Sequence, residues 1–135
     1  MGEEIIPVDG EEGIVTARQR ARECVRELGF GMLDQSRIAT AVSELTRNIV
    51  RYATDSRGEV LIRELPADGG KVGVEIVVRD DGPGIEDLSL AMRDGYSSGP
   101  GLGLGLPGTR RLVDEMEVDT GPGRGTTVTI RKWRR

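Results

Sequence analysis

Three stretches of this sequence carry residue types suited to chemistry. In Gly101-Leu102-Gly103-Leu104-Gly105-Leu106-Pro107-Gly108, glycine recurs at alternate positions. Such a backbone takes torsions closed to other residues and can turn several amide N–H groups toward one anion. Pro107 suits the first turn of a helix, where its missing N–H costs nothing, and amides feeding a helix N-terminus outline a phosphate site. A glycine-rich hinge is the competing reading of the same letters. Upstream, Glu44 and Asn48 stand one helical turn apart, so a carboxylate and an amide can address one ligand; an ordinary polar helix flank has the same pattern. Asp80 closes a row of alternating apolar residues and precedes Asp81-Gly82-Pro83-Gly84. A carboxylate on the core side of a strand needs a hydrogen-bond donor, whereas a solvated turn does not.

The elements that must position these residues are legible from periodicity. Glu3 to Asp9 reads as a short strand. Ile14, Ala17, Ala21, Cys24, Val25 and Leu28 recur at helical spacing, and Gly29 stops that helix. Asp34 is the expected N-cap of a longer helix whose apolar stripe is Ile38, Ala41, Val42, Leu45, Ile49, Tyr52 and Ala53. Glu44, Asn48, Arg51 and Asp55 form a line along one edge of that stripe, where a cleft would be lined. Val60 to Leu65 reads as a strand, Pro66 to Gly70 as a hairpin connection, and the next strand puts Val72, Val74, Ile76, Val78 and then Asp80 on one face. Ile85 to Pro100 is polar, with one short helix expected over 87–93, and suits a cover over a site. A helix is expected from Pro107 to Met116, then a strand from Glu117 to Thr120, a turn at 121–124 and a strand from Gly125 to Trp133. In that last strand Thr126 shares a face with Val128 and Ile130, as any β-branched residue could.

Composition narrows the classes of function. With 135 residues, 36% of them apolar, the chain suffices for one domain, 1–135, with a core between two layers. Aromatics make up only 3%, so aliphatic side chains must fill that core. A net charge of −4 argues against bulk electrostatic binding to nucleic acid or to a membrane surface. The basic end, Arg131 to Arg135, reads as a solvated strand end. Cys24 is the single cysteine and reads as a small buried hydrophobe in a reducing compartment. Neither a signal peptide nor a transmembrane run is apparent, so a cytoplasmic location is expected. Histidine is absent, which removes histidine metal sites, Ser-His-Asp chemistry and a phosphohistidine carried by this chain.

Taken in order, Glu44-x-x-x-Asn48, Asp80-x-Gly82-x-Gly84, the glycine loop at 101–105 and Gly125-Thr126 resemble the N, G1, G2 and G3 boxes of the GHKL ATPase/kinase superfamily. Glu44-Leu45-Thr46-Arg47-Asn48-Ile49, Asp94-Gly95-Tyr96-Ser97-Ser98 and Gly105-Leu106-Pro107-Gly108 are similar to its small anti-sigma serine kinases, above all the switch kinases of the stressosome. The resemblance covers nearly the whole chain. It implies the Bergerat ATP-binding fold: an α+β two-layer sandwich with a mixed, mostly antiparallel sheet and helices packed on one face. It implies ATP and Mg²⁺ as cofactors. By the same resemblance Glu44 is the general base and Asn48 the Mg²⁺ ligand, with Arg51 beside them. Asp80 receives the adenine amino group, and Gly82 and Gly84 let the backbone approach the base. Gly101, Leu102, Gly103, Leu104, Gly105 and Leu106 hold the phosphates, and Thr126 supports the adenine end.

The implied function is an ATP-dependent protein serine/threonine kinase acting on STAS-domain stressosome proteins, which on release binds and activates a PP2C-type phosphatase. Neither nucleic acid nor membrane is expected as a partner. The alternative is an anti-sigma module that sequesters a sigma factor, with ATP as a structural ligand; retention of Glu44 favours catalysis. With no transducer domain after Arg135, a topoisomerase, mismatch-repair or chaperone machine is not expected. Lack of histidine excludes a self-contained sensor histidine kinase. Gly103-x-Gly105-x-x-Gly108 also matches a dinucleotide fingerprint. It follows Ser97-Ser98-Gly99-Pro100 rather than a strand, though, and the acidic residue expected about twenty positions later is missing. A Gly-Lys-Ser/Thr phosphate loop is excluded too, since Val72 follows Lys71.

Overall fold

The computed structural model describes residues 3–52, 57–82 and 105–135. Asp55, Gly84, Gly101, Leu102, Gly103, Leu104 and the short helix expected over 87–93 lie outside these residues. The elements are β1 (Glu3–Asp9), α1 (Glu11–Glu27), α2 (Met32–Tyr52), β2 (Arg57–Asp68), β3 (Lys71–Asp80), α3 (Leu106–Leu112), β4 (Glu115–Thr120) and β5 (Thr126–Trp133).

Helix α1 carries Glu11 and Glu12 in its first turn and Arg26 in its last, charges that complement its dipole. Its C-terminus is closed by two backbone bonds, Gly29 N–H to Arg26 O (3.0 Å) and Phe30 N–H to Val25 O (2.9 Å). That is the pattern of a Schellman cap with glycine at the left-handed position. Its buried face is built of Gly13, Ala17, Ala21, Cys24 and Val25, small enough to bring the helix close to β1.

Helix α2 starts two residues before the expected cap. Gln35 N–H already bonds Gly31 O at 2.9 Å, and the Asp34 carboxylate turns to Arg37 (3.0 Å) and Lys132 (3.6 Å) instead of capping. Ile38, Ala41, Val42, Leu45 and Ile49 are buried, as their spacing predicts.

The five strands run β1-β2-β3-β5-β4, with every neighbouring pair antiparallel. Ile6, Val8, Val60, Ile62, Val74, Ile76, Val78, Val128 and Ile130 form one cluster with the apolar stripes of α1 and α2. This is the expected two-layer α+β sandwich. Each fully buried aliphatic side chain in it stabilises the fold by about 1.5–3 kcal/mol. Because β5 inserts between β3 and β4, the end of β3 lies beside the start of β5.

Helix α3 stops at Leu112, four residues short of the expected Met116. Val113 is extended, Asp114 N–H bonds Arg131 O at 3.0 Å, and Met116 pairs with Ile130 in the sheet. Sheet pairing outcompetes the helical pattern there. The basic C-terminus also differs from its expected solvated state. Arg131 binds Glu75 (2.8 Å), Lys132 is buried beside Asp34, Arg134 donates to Leu28 O (2.8 Å), and Arg135 pairs with Asp114. Among the described residues, no helix is long and apolar enough to cross a membrane.

Candidate active site

The C-terminal half of α2 lies over the end of the sheet that carries Asp80. In the ladder Gly58 of β2 pairs with Asp80, which pairs in turn with Thr126 of β5. A β-carbon on Gly58 would stand 2.8 Å from Ile49 Cδ1 of α2, so the Ile49 side chain packs directly on the β2 backbone there. The loop before β5 closes on the same point. Gly125 has φ +74°, and a β-carbon on it would come within 2.2 Å of Asp80 O.

Asp80 is partly buried, on the apolar side of β3 as its register predicts. Gly82 N–H donates to its Oδ1 at 2.7 Å. Burial pushes its carboxyl above the ordinary value; the Gly82 and Thr126 backbone N–H groups oppose this, and Asp81 reinforces it. Beside it, the Thr120 hydroxyl bonds Gly125 O at 3.0 Å and lies 2.9 Å from the Thr126 hydroxyl. With the one Thr120 hydrogen committed to Gly125 O, Thr126 donates to Thr120 and keeps acceptor capacity. The Asp80 carboxylate and the Thr126 hydroxyl thus both carry acceptor capacity at this corner.

Glu44 and Asn48 share one edge of α2, and Arg51 stands exposed in its last turn. The neighbouring Ser43 and Thr46 hydroxyls are committed to Ala39 O (2.9 Å) and Val42 O (2.7 Å). Glu44 meets the start of α3: a β-carbon on Gly105 would lie 2.8 Å from Glu44 Oε2. Gly105 is the N-cap of α3 in the left-handed conformation, φ +67°. The last glycine of the 101–105 loop and the carboxylate are therefore in contact. The Leu106 side chain is buried in the core, so what this residue offers a ligand is its backbone. Among the described residues, no group of three or more His, Cys, Asp or Glu is placed to hold a metal.

Three features escaped sequence reasoning. Arg47 pairs with Glu44 at 2.9 Å; its i,i+3 spacing was the available signal. Thr120 and Gly58 complete the Asp80 corner, but only strand register brings them there.

Residues 33–135 match the model of the histidine kinase-, DNA gyrase B- and HSP90-like ATPase family. The chain is 49% identical over 125 residues to the serine/threonine-protein kinase RsbT of Bacillus subtilis, covering 93% of this chain and 92% of that protein. It is 31% identical over 128 residues to the anti-sigma F factor of Clostridium beijerinckii, covering 93% and 89%. Among solved structures it resembles the RsbU and RsbW domains of a Mycobacterium tuberculosis protein, with a TM-score of 0.62 at 26% identity over all of this chain and 33% of that one. The fold also matches a mycobacterial sensor histidine kinase, MprB, with a TM-score of 0.58 over 98% of each chain at 23% identity.

Proposed function

The chain belongs to the histidine kinase-, DNA gyrase B- and HSP90-like ATPase family, and from that premise we propose that it is an ATP-dependent protein serine/threonine kinase that works by partner switching. The observation that carries this reading is the contact between Glu44 and Gly105. It puts an acceptor carboxylate beside the end of a glycine-rich loop that leads into a helix N-terminus. A site that only stored nucleotide would have no use for a base there.

The roles follow from chemistry. Asp80 and Thr126 accept hydrogen bonds from the adenine edge, while Gly82 and Gly84 allow backbone approach. The amides from Gly101 to Leu106 bind the β- and γ-phosphates. Asn48 would hold Mg²⁺ through its side-chain oxygen, and the ion would neutralise phosphate charge. A single amide ligand suits an ion that keeps waters and substrate phosphates as its other ligands. As the acceptor oxygen bonds to the γ-phosphorus, its proton passes to Glu44. The bond from phosphorus to the β–γ bridging oxygen breaks, and ADP leaves.

The acceptors are STAS-domain proteins of a stressosome-type assembly, and the released kinase engages a PP2C-type phosphatase. Similarity to RsbT, and to a structure that includes an RsbU domain, supports this assignment. The relationship to anti-sigma F factors favours a second reading, sequestration of a sigma factor with ATP as a structural ligand.

Incubation of the chain with γ-labelled ATP and purified STAS-domain proteins tests the choice. Label should move to a serine or threonine of the partner and be lost with Glu44→Gln. Stable binding to a sigma factor, without transfer to any STAS protein, would reject the kinase in favour of the second reading.

A further inference from the structure

Thr120 ends β4, Thr126 opens β5, and the two are partners in the strand ladder. Between them runs Gly121-Pro122-Gly123-Arg124-Gly125, a turn closed by Arg124 N–H on Gly121 O at 2.9 Å. Its ion pair, Arg124 with Asp119 at 3.2 Å, is exposed and holds the turn weakly. The Thr120 hydroxyl also holds it, by donating to Gly125 O at 3.0 Å. That carbonyl belongs to the same planar peptide as the Thr126 N–H, which bonds the Asp80 carboxylate. One rigid group is therefore fastened at one end by Thr120 and at the other by Asp80.

The same hydroxyl decides where the Thr126 proton points. A hydroxyl has one hydrogen and two acceptor lone pairs. Thr120 commits its hydrogen to Gly125 O, so across the 2.9 Å contact with Thr126 it can only accept. The Thr126 hydrogen then lies on Thr120, and what Thr126 keeps for a ligand is lone pairs. Ionised Asp80 likewise has acceptors alone. A purine 6-amino group brings two N–H hydrogens to such a corner, whereas a 6-oxo group brings another acceptor. Acceptor against acceptor leaves partly buried groups unpaired, and a site built on hydrogen bonds rejects a ligand that does this.

We propose that Thr120 is a specificity-determining residue of the nucleotide site. Acting through Thr126, it takes the Thr126 proton and fixes the Gly125–Thr126 peptide, so that the Asp80 corner accepts a 6-amino purine and refuses a 6-oxo purine. The role rests on the kinase reading above and adds what decides the choice of base. Without the Thr120 hydroxyl the Thr126 hydrogen loses its acceptor and is free to turn to a 6-oxo oxygen, so the preference for adenine relaxes.

Binding of Mg-ATP and of Mg-inosine triphosphate, which carries an oxo group in place of the 6-amino group, tests this by calorimetry on the full chain. The wild type should favour ATP. Thr120→Val keeps the shape and removes the hydroxyl, and should lower the ratio of the two affinities about tenfold. Thr120→Ser keeps the hydroxyl and should retain the wild-type ratio. Thr126→Val should lower the ratio as well, and adding Thr120→Val to it should lower the ratio no further, since one residue acts through the other. Denaturation midpoints without nucleotide establish that each variant is folded, and Thr120→Ala replaces the valine variant if that one is not. A hydroxyl that only braced the turn would weaken both nucleotides alike. An unchanged ratio in Thr120→Val or Thr120→Ala would therefore overturn the role and leave the kinase standing, as would equal affinity of the wild type for the two nucleotides. Binding of neither nucleotide by the wild type would remove the kinase reading together with it.

Discussion

Glu44 Oε2 stands 2.8 Å from the point that a β-carbon on Gly105 would occupy, so the two residues leave no room for a side chain between them. The contact ties the middle of α2 to the N-cap of α3. Gly105→Ala would force alanine into a left-handed backbone at about 1–2 kcal/mol and push the carboxylate aside. Stability in a denaturant titration should fall by about that amount. Single-turnover phosphotransfer should fall further, by about a hundredfold, since a misplaced base costs that much. Gly108→Ala is the control, because a β-carbon there meets nothing within 4 Å. Equal phosphotransfer in the two variants would separate Glu44 from the chemistry.

Asp80 makes a pH-dependent contribution of definite sign. Burial raises its carboxyl above the ordinary value of 3.8, so the native state holds a proton that the unfolded chain has already released. Its contribution to stability therefore falls as pH rises from 3.8 through the raised value, and is constant above it. Asp80→Asn removes that slope and keeps the Gly82 N–H bond, so without nucleotide the variant should be at least as stable at neutral pH. An adenine amino group favours the ionised carboxylate, so ATP affinity of the wild type should fall as the solution is acidified through the same window. Nucleotide titrations at several pH values, with GTP beside ATP, check both statements. Equal affinity for ATP and GTP in the wild type would remove the adenine role.

On the open face of the sheet, Glu3, Arg63, Glu75, Arg131 and Glu115 stand in register across all five strands. Glu75, at the centre, is buried between Arg63 (2.7 Å) and Arg131 (2.8 Å). Burial alone would raise its carboxyl, but the hydrogen bonds from the two arginines prevail and hold it below the ordinary 4.5. The stability it contributes is complete above 4.5 and is lost as pH falls through the depressed folded value. Arg131→Ala leaves a buried carboxylate short of one charged partner, at about 1–3 kcal/mol near neutral pH. Glu75→Gln should shrink the loss of stability on acidification, read as denaturation midpoints at pH 7 and pH 3. An unchanged acid limb would mean that other carboxylates dominate it.

Much of this was legible in the letters. Alternation in β3 put Asp80 on the core side, and the stripe of α2 put Glu44 and Asn48 along one edge. Both follow from local periodicity, which the packed chain respects. What failed to show depended on partners distant in sequence. Asp34 looked like a cap because Lys132, nearly a hundred residues away, is invisible to a local reading. Met116 continued a helical pattern until Ile130 claimed it for the sheet. The Arg131–Arg135 end looked solvated because its carboxylates and carbonyls come from the C-cap of α1, from α2, β3 and β4 and from the turn before β4. Neither Thr120 beside Thr126 nor Gly58 beside Asp80 is marked by any motif; strand register alone brings them together.

Cys24 tests whether α1 stays closed on β1. Its thiol is buried and donates to Glu4 Oε2 at 3.4 Å, and Glu4 is held in turn by Arg20 at 2.7 Å. Burial and the bond to Glu4 push the thiol up to about 11. At pH 8 only about one molecule in a thousand would carry the reactive thiolate, against about a quarter for a free cysteine. Iodoacetamide should therefore label the native chain more than a hundredfold slower than the denaturant-unfolded chain, which takes up one label. Glu4→Gln should lower the thiol value, because a neutral amide no longer penalises the thiolate, and labelling should quicken while the melting temperature moves little. Fast labelling of the wild type at pH 8 would require α1 to open from β1 on the timescale of the reagent.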